Sequence, residues 1–178
     1  MLSGETSVGT YPVEAVQAMD EIVRVAQNHI PKHDPKEYQS SQSSIAETVC
    51  SAVHAFAEQF ASDKEYGGKI IVVTSTGFAA RVISKYRPAL PILAFSESLR
   101  TVRELALCWG VRAQYLPKLA GNDVETEALC AIEHAVATGY LTSKDKKVCV
   151  LIPSSDPSAG FFSGIYDVPR LTAKGFKL

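Results

Sequence analysis

The sequence predicts an α/β protein built on an open, mostly parallel sheet with helices on both faces. Short apolar runs rich in β-branched residues recur along the chain. "KIIVVTS" (69–75), "PILAFS" (91–96), "VRAQYLP" (111–117) and "KKVCVLIP" (a strand over 147–154 with its flank) are the clearest. The first is a continuous β-branched run, which suits a strand buried on both faces. Between them lie segments whose apolar residues repeat at helical spacing, and the connections are short. Strand–helix alternation with short links is the pattern of a parallel sheet covered on both sides.

The elements follow in order. Residues 11–30 read as a helix, with Pro12 at the first helical position and Ala15, Val16, Met19, Ile22, Val23 and Ala26 on one stripe. "PKHDPKEYQSSQSS" (31–44) is polar, carries two prolines and reads as a linker. Ser44 and Glu47 form an S-x-x-E capping box that opens a second helix over 44–62, and "SDKEYGGK" closes it as a glycine-rich turn. Helices are expected at 77–86, 98–108 and 121–141, the last with Asp123 as N-cap and Gly139 near its end. "SSDPSAGFFSG" reads as a loop and "IYDVPRL" as a short last strand. Pro169 would place that strand at a sheet edge, because proline cannot donate to a ladder.

Composition narrows the functional classes. The chain has 178 residues, 46% of them hydrophobic, enough for one packed domain with an appendage. A net charge of −1 gives no basic field for nucleic acid or an anionic membrane. No apolar run approaches the about 18 residues of a membrane span, and the first residues carry neither the basic nor the apolar region of a signal peptide. Cys50, Cys108, Cys130 and Cys149 form no CxxC and no zinc spacing with histidine, and lie in apolar patterns. Buried reduced thiols and a cytoplasmic location are expected. No metal site is expected in the chain.

Ligands of open α/β sheets bind outside the carboxyl ends of the strands. Two loops fall there: "TSTG" (Thr74, Ser75, Thr76, Gly77) after the first strand and "PSSDPSAG" after the fourth. Hydroxyls beside a glycine at a helix start suit an anion, since the helix end offers unpaired N–H groups. The same residues also suit a plain capped turn. In the second loop Ser155, Ser158 and Gly160 are able to approach a phosphate, whereas Asp156 would repel one. The turn has no GxGxxG, which argues against a dinucleotide-dependent dehydrogenase. His29, His33, His54 and His134 are scattered and form no nucleophile–base motif. Trp109 reads as a core residue and Arg103 as a structural helix residue.

Longer stretches carry a resemblance. "MLSGETSVGTYPVEAV" resembles the segment of pyruvate kinase that leaves its catalytic barrel and enters the next barrel helix. "TSTGFAARVISKYRPALPILAFS", "RTVRELALCWGV" and "SAGFFSGIYDVPRL" resemble the central and final signatures of the C-terminal domain of that enzyme. The resemblance implies a three-layer α/β/α domain with a mixed five-stranded sheet, mostly parallel, its last strand antiparallel. It divides the chain into a barrel segment with its last helix (1–30), a linker (31–43) and the C-terminal α/β domain (44–178). It implies regulatory and oligomerisation roles within a cytoplasmic homotetramer, with no catalytic residues in this chain. The phosphoryl transfer of glycolysis, from phosphoenolpyruvate to ADP with Mg²⁺ and K⁺, uses barrel residues that lie earlier than anything here. Glu5 and Glu14 fall at the barrel end and are expected to be structural.

Family members that bind a sugar bisphosphate carry a loop like T-x-S-G-R-S. Thr74, Thr76 and Gly77 match it, while Phe78 replaces the basic residue and Ala79 the serine. Two donors are thus missing, which would weaken phosphate affinity by about two to three orders of magnitude. Arg100, Arg103 and Arg112 flank "LALCWGV", and in such relatives a Trp or Arg from the region after this motif also reaches the ligand. The alternative is a free-standing protein of this domain type that binds a nucleotide or a flavin; "MLSGET", as barrel sequence, argues against it.

Overall fold

In a computed structural model the chain is described at residues 1–27, 29–30, 45–62, 67–117, 123–154 and 160–173, with side chains to Leu171. It divides into two compact units, Met1–Asp34 and Pro35–Leu178. The expected linker, Ser44 of the capping box, His33, Ser155, Asp156 and Ser158 lie outside the described residues.

The first unit holds a one-turn helix α1 (Gly4–Ser7) and the helix α2 (Pro12–Gln27). The short α1 was not expected. Its start is held by Glu5, whose carboxylate accepts the Ser3 N–H at 2.9 Å. Pro12 opens α2 as its sequence position predicts, and no residue of either helix is buried.

The second unit runs α3 (Ile45–Ser62), β1 (Gly67–Val73), α4 (Phe78–Lys85), β2 (Ile92–Ser96), α5 (Leu99–Leu105), β3 (Val111–Tyr115), α6 (Val124–Ala137), β4 (Asp145–Pro153), β5 (Phe161–Asp167) and α7 (Val168–Ala173). The five strands form one sheet in the order β3-β2-β1-β4-β5. All neighbours are parallel except β4 and β5, which are antiparallel. The expected three-layer, mixed five-stranded architecture is the one observed.

Alternation along the strands divides the core into two layers. Ile70, Val72, Ile92, Ala94, Cys149 and Leu151 face α3, α4 and Leu105 of α5. Ile71, Val73, Leu93, Phe95, Val148, Val150 and Ile152 face α6 and Val168 of α7. The three central strands are apolar on both faces for this reason. Two side-chain caps fix helix starts: Ser98 Oγ accepts the Thr101 N–H at 3.2 Å, and Asp123 Oδ1 accepts the Thr126 N–H at 2.8 Å.

The structure corrects three sequence readings. Gly67 and Gly68 belong to β1 rather than to a turn, because that strand passes tightly against β4. A Cβ at Gly67 would meet the Lys144 carbonyl at 2.6 Å, and one at Gly68 the Lys147 carbonyl at 2.8 Å. The last strand covers "FFSGIYD", not "IYDVPRL". Asp167 Oδ1 accepts the Arg170 N–H at 3.2 Å and caps α7, so Pro169 sits in the first turn of a helix. β5 is at the sheet edge as expected, although the proline is not in it. Finally, Trp109 is 38% exposed rather than in the core, with the Arg87 guanidinium 5.3 Å from its ring.

Candidate functional site

The strand order reverses direction between β1 and β4. β2 and β3 lie to one side of β1, and β4 pairs with its other side. Such a reversal leaves a crevice at the carboxyl ends of the two strands, because the connections that follow them diverge. The register aligns Val72 with Leu151, so the two strands end side by side. The "TSTG" turn leaves the end of β1 and the Ser154–Gly160 loop leaves the end of β4. The sheet therefore brings the ends of the two strands to one edge.

The turn is built as follows. Thr74 is 4% exposed, and its hydroxyl accepts the Gly77 N–H at 2.9 Å. Gly77 takes φ +77° and is the N-cap of α4, with no side-chain cap. A Cβ there would also lie 3.1 Å from Thr101 Cγ2 and 3.2 Å from Leu105 Cδ2. From α5, Thr101 Oγ1 donates to the Ser75 carbonyl at 2.8 Å. Ser75 and Thr76 are exposed, and Thr76 Oγ1 accepts the Phe78 N–H at a long 3.4 Å.

The residues thus divide by role. Thr74 and Gly77 shape the turn, and Ser75 and Thr76 present hydroxyls to solvent. Phe78 is 49% exposed at the mouth of the turn, while Ala79 is 2% exposed and points into the core. Gly160, at φ +76°, ends the β4 loop, and its carbonyl accepts the Ser154 N–H at 2.9 Å.

A cation stands at the turn that sequence reasoning passed over. Arg81 Nη2 donates to the Thr76 carbonyl at 2.8 Å. Its Nη1 lies 3.8 Å from Glu104 Oε2, and Glu104 Oε1 accepts from Arg100 Nε at 2.8 Å. Arg81 begins the second turn of α4, so the helix winds its side chain back towards the loop. Spacing alone was a signal for it: a residue four positions after the cap lies on the cap's side of the helix. Arg100 reaches this network through Glu104. Arg112 does not, since its guanidinium lies 4.2 Å from the Tyr140 ring on the α6 face. Arg103 is exposed in the last turn of α5, where a cation suits the helix dipole.

The remaining titratable groups are structural in their surroundings. Burial pushes the Cys50 and Cys149 thiols up to about 12, so both are protonated and inert. All four cysteines are free; Cys108 and Cys130 are half-buried rather than buried. His54 is buried on α3, its ring centroid 6.0 Å from that of Tyr86. Burial, with Glu97 nearby, raises the Glu127 carboxyl. Among the described residues no cluster of three His, Cys, Asp or Glu side chains is placed to hold a metal ion. None of the described helices is long and apolar enough to cross a membrane.

A five-stranded mixed sheet with β1 and β4 side by side at its switch point defines an open-sheet α/β domain. Residues 44–154 match the family model described as pyruvate kinase, alpha/beta domain, and the chain belongs to that family. Curated relatives agree. The chain is 41% identical over 154 residues to a pyruvate kinase of Agrobacterium vitis, covering 85% of this chain and 30% of the relative. It is 33% identical over 151 residues to one of Clostridium acetobutylicum, covering 82% and 30%. It is 33% identical over 169 residues to one of Leishmania mexicana, covering 90% and 32%. The chain thus spans about a third of the length of these relatives.

Proposed function

We propose that this chain is the regulatory and oligomerisation part of a cytoplasmic pyruvate kinase, and that its "TSTG" turn receives the phosphate of a sugar-phosphate effector. The observation that carries the proposal is that β1 and β4 end side by side at the sheet's switch point. Thr76 and Ser75 would supply hydroxyls, and the uncapped start of α4 its N–H groups. Arg81 would supply the charge that Phe78 does not, by exchanging Glu104 for the anion. The exchange is easy because Glu104 keeps Arg100 as a partner and the Arg81 contact is long. Ser155, Ser158 and Gly160 would close from the β4 side.

Catalysis in the whole enzyme, phosphoryl transfer from phosphoenolpyruvate to ADP in glycolysis, would belong to a barrel partner. The Mg²⁺ and K⁺ of that reaction would be held there. Residues 1–30 would contribute a barrel helix, 31–43 the linker and 44–178 the α/β domain.

Assembly into a homotetramer would use the outer edge of β5, which pairs with no further strand among the described residues. Phe162 and Ile165 are 41% and 60% exposed there, and the seven-residue strand has no proline or lysine to discourage pairing. A free-standing domain that binds a nucleotide or flavin is the second reading, and the exposed Phe78 ring beside the turn is the feature that favours it.

Melting temperature against a panel separates the readings. The panel holds fructose bisphosphates, glucose 6-phosphate, ribose 5-phosphate, AMP, ATP, FMN and inorganic phosphate. A ligand at 100 times its Kd adds about 2.7 kcal/mol, or roughly 5–11 °C for a domain of this size. The expected result is a shift with one sugar phosphate, lost in Thr76→Glu and reduced in Arg81→Leu. A shift only with AMP, ATP or FMN supports the second reading. No shift with any compound leaves the turn as a helix cap.

A further inference from the structure

We draw no further inference here: the strongest candidate, the exposed apolar patch of α2 formed by Val13, Val16 and Val23, carries none because nothing among the described residues shows what covers it.

Discussion

The Thr74 hydroxyl, buried at the end of β1, accepts the N–H of Gly77 at 2.9 Å. This bond closes the turn and sets Gly77 in the left-handed conformation from which α4 starts. Thr74 is therefore a framework residue, although sequence matching groups it with the hydroxyls of a phosphate loop. Thr74→Val keeps the shape and removes the acceptor, leaving an N–H without its partner. A loss of about 1–2 kcal/mol in urea unfolding is expected, with most of it recovered in Thr74→Ser. Equal stability of the valine variant and the wild type would show that the bond does not hold the turn.

Gly77→Ala tests the same turn from the backbone. The φ of +77° and the methyl groups 3.1–3.2 Å from the added Cβ both oppose the change. Destabilisation of about 1–2 kcal/mol is expected. Gly110 takes φ +68° with open space around it, so Gly110→Ala should lose less. The reverse ranking would contradict the packing of Thr101 and Leu105 on this turn.

Asp145 joins three segments. It is 8% exposed and accepts from Lys69 Nζ at 2.8 Å and from the N–H and hydroxyl of Thr142, each at 2.9 Å. Lys69 Nζ also donates to the Tyr140 carbonyl. Asp145→Ala strands a half-buried ammonium and two donors, at a cost of about 3 kcal/mol in chemical denaturation. A loss within about 0.5 kcal/mol would mean that water replaces the carboxylate freely.

Acid should act at Asp167. The Lys147 ammonium 2.7 Å away holds this carboxyl below its ordinary value of 3.8. A depressed folded value gives stability that is present above 3.8 and lost as pH falls through the lower folded value. Asp167→Asn keeps an oxygen for the Arg170 N–H and removes the charge. The pair is part-exposed, so the wild type should lead by no more than about 1 kcal/mol at neutral pH. That lead should close as pH drops below 3.8. A gap that is independent of pH would assign the effect to capping geometry instead.

The fold was largely legible because its signals are local. Three buried strands announced themselves as apolar runs, and Ser98 and Asp123 stand where helix starts need an acceptor. Where local signals competed, the wrong one prevailed in the reading. Gly67 and Gly68 look like a turn until β4 is seen pressing on them. "DVPR" looks like a strand end until Asp167 is seen capping α7. Trp109 was assigned to the core by its size, yet it lies beneath Arg87 at the surface.

The sequence by itself determined the central strands and the longer helices, the two layers of the core and the membership of the family, because alternation, helical spacing and motif order are properties of neighbouring residues. Only the tertiary structure decided what surrounds the "TSTG" turn. The pairing of β1 with β4 sets two strand ends about 80 residues apart at one edge. The winding of α4 returns Arg81 to Thr76, and α5 supplies Thr101 and Glu104. Long-range pairing and helix direction place those groups, and no stretch of neighbouring residues encodes them.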